Sequence, residues 1–209
     1  MIDNTTFNKV KKFIYDEVGI NLTDAKKALV SSRLRKRMRE LDILEYRDYI
    51  KYVQQDNSGV EIVQLFNAIS TNVTHFFREN DHFEKLTQIF EKHLHNGHQR
   101  FRIWSAACSS GEEPYSIAMT LNELLQNKRY DVKILATDIS TKVLNMSLRG
   151  LYQEKQMETV SSKLRMNYFT KISRDGGNNI YQIDDSIKRL VLFKRLNLSK
   201  RPFPLRGNQ

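Results

Sequence analysis

Long apolar runs are missing from this 209-residue chain. Nothing approaches the roughly 18 residues that a membrane-spanning helix requires, and the opening Met1-Ile2-Asp3-Asn4 lacks the apolar stretch of a secretory leader. Cysteine is nearly absent. Cys108 stands alone, so no internal disulfide can form, and a reducing, cytoplasmic location is expected. Three prolines and eight glycines are too few for a disordered chain, and there is no internal repeat or low-complexity tract. Negative charge is also in deficit. Against 34 Lys and Arg stand 24 Asp and Glu, a net charge of +10, and the isoelectric point lies near 9.6. Such an excess suits nucleic acid, an anionic membrane surface or an acidic protein, and charge alone does not choose among them. What is present is an ordinary hydrophobic fraction of 40%, enough for a buried core.

Residues 1–70 read as a helical module. Phe7, Val10 and Ile14 share one helical face, and Gly19 supplies a stop. Thr23 is the expected N-cap of a second helix carrying Val30, Leu34, Met38 and Leu41. A third is expected over Glu45 to Gln55, and a fourth, opened by Ser58, sets Ile62, Leu65, Phe66 and Ile69 on one side. Short polar connections predict an antiparallel bundle. From Asp81 the pattern changes to alternating strands and helices. A helix with Phe83, Leu86 and Phe90 precedes a strand at 101–104. A helix with Ile117, Leu121 and Leu124 follows, then a strand from Val132 to Ala136 and a helix from near Ser140. That alternation predicts a doubly wound α/β domain around a parallel sheet. Residues 168–196 break it: Tyr168-Phe169, the turn cluster Asp175 to Asn179, Ile180 to Ile183 and Leu190 to Phe193 read as a small antiparallel hairpin or three-stranded insertion.

The stretch Trp104 to Ser116 runs from a strand through a loop of small residues into a helix. Small side chains let a ligand approach the backbone, Gly111 tolerates a tight turn, and Pro114 fits a first helical turn. In an open parallel sheet this loop lies at the ligand-binding edge. Glu112 and Glu113 stand at the helix start, where a carboxylate can grip a ligand ammonium. Asp138, at the tip of the second strand, has the position of an acid that accepts from ribose hydroxyls, although an aspartate there also caps helices. His93, His95 and His98 span a helix end with no accompanying cysteine or carboxylate set, so no metal is expected. Cys108 has no histidine placed to activate it, and a packing role is expected.

Ser105 to Ser116 closely resembles the cofactor loop of CheR-type chemotaxis receptor methyltransferases, and Thr71 to Arg78 resembles that family's linker between helical and catalytic domains. Ala136 to Ser140 and Asn197-Leu198 extend the likeness, which covers essentially the whole chain. It implies a helical receptor-recognition domain over 1–70, a linker over 71–80 and an S-adenosylmethionine-binding methyltransferase domain over 81–209, with a β-subdomain at 168–196. It also implies that Asn72, Thr74 and Arg78 contact the cofactor from the linker and Glu112 from the loop. Asp138 would hold the ribose, and Asn197 and Leu198 would line the adenine side. The expected reaction methylates glutamate carboxylates on chemoreceptor cytoplasmic domains, leaving S-adenosylhomocysteine. No general base is needed for this, and no catalytic residue can be named. Arg33, Arg35, Lys36, Arg37 and Arg39 crowd the second helix. A basic run is usually a solvated face, but the resemblance makes it the surface for an acidic receptor helix. Reversing Arg33 and Arg37 to Glu is then expected to weaken methylation and spare cofactor affinity. By the same resemblance the family continues past Gln209 into further core strands, so an incomplete sheet with exposed apolar surface is expected. Two other readings stand beside this one: a non-catalytic receptor- or cofactor-binding module, and a nucleic-acid binder or nucleic-acid methyltransferase. The last matches no nucleic-acid module.

Overall fold

The computed structural model describes residues 2–70, 72–125, 130–172 and 179–203, so most of the expected turn cluster at 175–179 and the end of the chain lie outside the described residues. Contacts divide the chain into two units: Met1–Thr71 with Ile139–Thr141 and Leu196–Gln209, and Asn72–Asp138 with Lys142–Arg195.

The first unit is helical. Helix α1 (Asn4–Val18) starts where the Asp3 carboxylate accepts from Thr6 N at 2.8 Å, and ends at Gly19, whose φ of 69° lets its N–H return to Tyr15 O. Helix α2 (Lys27–Glu40) follows a 3-10 turn at Asp24–Lys26. Thr23 is extended but its side chain caps nothing, so the expected N-cap opens the turn rather than the helix. Helices α3 (Tyr46–Gln55) and α4 (Val60–Ile69) complete the set, with Gly59 at the α4 cap position and Ser58 Oγ accepting from Val60 N. The expected apolar stripes meet in one core that buries Phe7, Val10, Ile14, Leu34, Tyr49 and Leu65. Each such side chain stabilises the fold by about 1.5–3 kcal/mol relative to exposure. A charged cluster interrupts this core. The carboxylate of Glu61, 3% exposed, accepts from Arg37 Nε at 3.0 Å and Nη2 at 2.6 Å, and from the Tyr49 hydroxyl at 2.9 Å.

The second unit is α/β. Helix α5 (Asp81–His95) leads to β1 (Arg100–Ala106), α6 (Glu112–Leu125), β2 (Asp131–Asp138) and α7 (Thr141–Arg149). Then come β3 (Leu151–Gln153), α8 (Ser162–Tyr168), β4 (Phe169–Ile172), β5 (Ile180–Ile183), α9 (Asp185–Lys188) and β6 (Val191–Arg195). Among the described residues two three-stranded sheets form, a parallel one ordered β1-β2-β6 and an antiparallel one ordered β3-β5-β4. The parallel sheet therefore takes Leu190–Phe193 away from the antiparallel insertion expected over 168–196. Ile134 N donates to Leu190 O at 2.8 Å, and β6 runs beside β2 from Val191 opposite Ile134 to Arg195 opposite Asp138. The small sheet draws its third strand from β3 instead, which is too short to show a period in sequence. Aromatic side chains knit the unit's core, with Phe76 edge-on to Tyr152 at 4.8 Å and to Phe169 at 5.6 Å. Among the described residues β6 has a single neighbour, β2, and its Leu192 is 55% exposed.

Candidate functional site

Strands β1 and β2 are in parallel register, with Ala106 opposite Thr137. Beyond Ala106 the chain turns through 107–111 into α6, and its backbone alternates sign: Ala107 has φ 62°, Ser109 φ 49° and Gly111 φ 95°. A non-glycine residue in that region costs about 1–2 kcal/mol, so the turn must be held from outside. It is. Cys108 N donates to Thr137 O and Ser109 N to Asp138 Oδ2, both at 2.9 Å. Ser147 Oγ donates to Ser109 O at 3.0 Å and the Tyr152 hydroxyl to Ser110 O at 2.9 Å. At Gly111 a Cβ would stand 2.9 Å from Ser147 Cβ, so only glycine suits that place. The Ser109 hydroxyl is buried and has no hydrogen-bond partner among the described residues.

The two acidic residues opening α6 differ in kind. Glu113 is exposed and accepts from Ser105 Oγ at 2.7 Å. Glu112 is 1% exposed; its carboxylate accepts from Ser110 Oγ at 2.7 Å and from Gln156 Nε2 at 3.0 Å. Burial raises its pKa above the ordinary carboxylate value, while those two hydrogen bonds and the nearby His75 oppose the rise. Asp138 is buried at the tip of β2 and takes the Ser109 amide on one oxygen. The loop thus joins Glu112 and Asp138 through consecutive residues, Ser109 and Ser110. Cys108 packs with Ala136 and Leu144, and burial pushes its thiol up to about 12, so it is no nucleophile at neutral pH.

The linker belongs to this same unit. Phe77 N donates to Ser116 Oγ at 3.0 Å, and that hydroxyl donates to Glu112 O at 2.7 Å, which ties the linker to the first turns of α6. Phe77 (φ 54°) and Glu79 (φ 57°) are also left-handed, so the linker and the loop together hold four of the five described non-glycine residues with positive φ. Strain concentrated there marks those two segments as constrained for something other than chain connection. Asn72 and Thr74 are half-buried and make no hydrogen bond among the described residues. Arg78 is exposed and donates to Val73 O at 3.1 Å. Asn197 and Leu198 fall in the helical unit, where Asn197 Nδ2 donates to Glu17 O at 2.8 Å and Leu198 is exposed.

The basic residues of α2 separate into two sets. Arg33 Nη1 donates to Ile69 O at 3.2 Å and to Ser70 O at 2.8 Å, closing the end of α4, and Arg37 holds Glu61 and Glu40. Arg35, Lys36 and Arg39 are exposed. Reversing Arg33 and Arg37 therefore attacks the fold of the bundle, and the exposed three are the residues with which to probe a partner. Sequence reasoning missed Ser109, Ser110, Ser147, Tyr152 and Gln156. The loop's wealth of small residues was a signal for the first two. None existed for Gln156, which meets Glu112 across 44 positions from a 3-10 turn at Glu154–Met157. Among the described residues no three His, Cys, Asp or Glu side chains are grouped to hold a metal, and no helix is long and apolar enough to cross a membrane.

Comparison with known proteins bears on these segments. The family model for the S-adenosylmethionine-binding domain of CheR methyltransferases matches residues 72–208, and the model for their all-alpha domain matches residues 5–70. The chain is 37% identical over 210 residues to a chemotaxis protein methyltransferase of Borreliella burgdorferi, covering 97% of this chain and 73% of that protein. It is 40% identical over 200 residues to a probable chemotaxis protein methyltransferase of Rhizobium etli, covering 93% and 73%. To the chemotaxis protein methyltransferase of Escherichia coli it is 31% identical over 206 residues, covering 99% and 70%.

Proposed function

The chain belongs to the CheR methyltransferase family, and from that premise we propose that it methylates glutamate side chains of chemoreceptors. It is a chemotaxis methyltransferase whose methyl donor is S-adenosylmethionine. One observation carries the reading at residue level: two buried carboxylates, Glu112 and Asp138, are held by neighbouring residues of a single strained loop.

That donor set fits a nucleoside carrying an amino acid. Asp138, at a strand tip, suits the two ribose hydroxyls. Glu112 suits the ammonium of the methionine part, since a buried carboxylate at a raised pKa gains most from a cation. The unpartnered Ser109 hydroxyl is a further polar group that a ligand would satisfy. Arg78 offers a planar fork for the methionine carboxylate, with Asn72 and Thr74 beside it in the linker. Asn197 and Leu198 are assigned to the adenine side on family resemblance alone.

S-adenosylmethionine brings an electrophilic methyl carbon on a cationic sulfur. The substrate glutamate, with a pKa near ~4.3, is already ionised at neutral pH. With the donor held by Glu112, Asp138 and Arg78, it would supply its methyl to a carboxylate oxygen, the bonding pair of the broken carbon–sulfur bond staying on sulfur, and the product would be a methyl ester. No proton moves, so the chain supplies no base. Its work is to hold the reactants in line and to keep water out. Exposed Arg35, Lys36 and Arg39 on α2 are the proposed surface for the acidic receptor helix.

Calorimetry with S-adenosylhomocysteine tests the site. Saturable binding is expected, and Asp138→Ala should weaken it by about tenfold or more, as loss of a charge-assisted pair does. Failure to bind at saturating ligand rejects the reading. Receptor binding without cofactor binding would instead favour a non-catalytic module, and salt-sensitive DNA binding a nucleic-acid function.

A further inference from the structure

The helical unit carries a groove of about 410 Å³ that none of the roles above employs. Two stripes line it. On α1 the stripe includes Lys9, Phe13 and Asp16, with Lys12 alongside; on α3 it includes Arg47, Ile50 and Lys51. Spacings of three and four residues put each set on one helix face. Phe13 and Ile50 are half-buried against the bundle core and make the floor. The four cations and Asp16 are exposed and make the rim. Lys51 lies 3.5 Å from Asp48, whereas Lys9, Lys12 and Arg47 form no ion pair among the described residues.

Charge, relief and length together select the occupant. With Lys51 paired to Asp48, the cations Lys9, Lys12 and Arg47 outnumber the carboxylates Asp16 and Asp3, the latter already facing Arg47, and this balance calls for an acidic ligand. The apolar floor is recessed beneath a charged rim, so a flat bilayer would not reach it, unlike the protruding apolar face of an interfacial helix. The exposed rim leaves the groove open, whereas small-molecule sites bury most of their ligand. The lined stretch of α1, Thr6 to Asp16, rises about 15 Å, close to three helical turns. We infer that the α1–α3 groove docks an acidic amphipathic helix of a protein partner. Apolar side chains one turn apart rest on Phe13 and Ile50, and carboxylates meet Lys9, Lys12 and Arg47. Asp16 sets the direction, because the partner residue opposite it must be neutral or basic. None of the groove residues is assigned to methyl transfer, so groove and donor site stand or fall separately.

Fluorescence anisotropy on the whole chain tests it, using a labelled synthetic helix of about four turns with leucines on one face and flanking glutamates. Saturable binding is expected, weakened about tenfold by Lys9→Glu with Lys12→Glu. The pair Lys85→Glu with Lys92→Glu on α5 makes the same change in net charge and should shift affinity by no more than about twofold. Circular dichroism matching the parent chain establishes that both variants fold. Equal losses in the two pairs would mean that net charge alone attracts the peptide, and would overturn the inference. So would absence of saturable binding, or losses confined to Arg35→Glu with Lys36→Glu. Tighter binding of ATP, or of vesicles of phosphatidylcholine and phosphatidylserine in equal parts, with the same sensitivity at Lys9 and Lys12, would give the groove to that anion instead.

Discussion

Glu112 is the residue at which burial and ligand charge pull in opposite directions. Burial is the main cause of its raised pKa, so the folded chain holds this proton more tightly than the unfolded chain does. The stability that difference supplies is full below the ordinary value of 4.5 and is lost as pH rises through the raised folded value. Without ligand, the parent chain should therefore lose thermal stability relative to Glu112→Gln across that window. A bound ammonium reverses the preference, because it interacts with the ionised form alone. Affinity for S-adenosylhomocysteine should be full above the folded pKa of Glu112 and fall about tenfold per pH unit below it. In Glu112→Gln that slope should vanish, and affinity at neutral pH should drop by about 1.5–3 kcal/mol. Calorimetry across pH checks both, and an unchanged slope in the variant would remove Glu112 from the ammonium. Glu112 and Asp138 are legible in the sequence because a strand, a small-residue loop and a helix start announce themselves locally. The residues that orient them are not. Gln156 and Tyr152 reach the loop only through tertiary folding, and no spacing rule links them to it.

At the scale of elements, α2 serves two ends that the sequence runs together. Arg33 and Arg37 face α4 and pin it, while Arg35, Lys36 and Arg39 face solvent. Helical phase explains the division, since 33 and 37 lie one turn apart on the flank of the buried stripe Val30, Leu34 and Met38. Arg37→Glu would set two carboxylates against each other beside the buried Tyr49 hydroxyl. A cost of about 3–5 kcal/mol follows from breaking such a pair, read as a lowered denaturation midpoint at unchanged slope. Arg35→Glu with Lys36→Glu should keep the unfolding free energy within about 0.5 kcal/mol while slowing receptor methylation. If the exposed pair left methylation untouched, α2 would be a structural helix only. The bundle helices were legible because each carries a clear 3.6-residue stripe. The sheets were legible only in part. A buried parallel strand and a sheet-edge strand both read as short apolar runs, and the pairing that assigns Leu190–Phe193 to β2 is non-local. Nothing local to Glu61 announces a partner 24 positions earlier.

Across the whole molecule, the net charge of +10 belongs to encounter more than to chemistry. The methyl donor's ammonium and ribose are held, on the proposed reading, by the buried carboxylates Glu112 and Asp138, and buried pairs are screened little by salt. The receptor would be met by exposed cations of the helical unit, which are screened strongly. The two affinities should therefore separate as ionic strength rises from 0.1 M, with a Debye length of about 10 Å, to 1 M, where it is about 3 Å. The second-order rate of methylation should fall by about tenfold or more over that range, as steered association does. Affinity for S-adenosylhomocysteine should change by no more than about twofold. Reversing Arg35 and Lys36 should flatten the first dependence and leave the second alone, because it removes the steering charge without touching the loop between β1 and α6. Equal salt slopes for donor and receptor would mean that the basic surface acts on the cofactor, and the division of labour between the units would fail. A steep slope for receptor alone, flattened by the α2 reversal, ties the chain's charge excess to substrate capture and leaves the nucleic-acid reading without its one supporting observation.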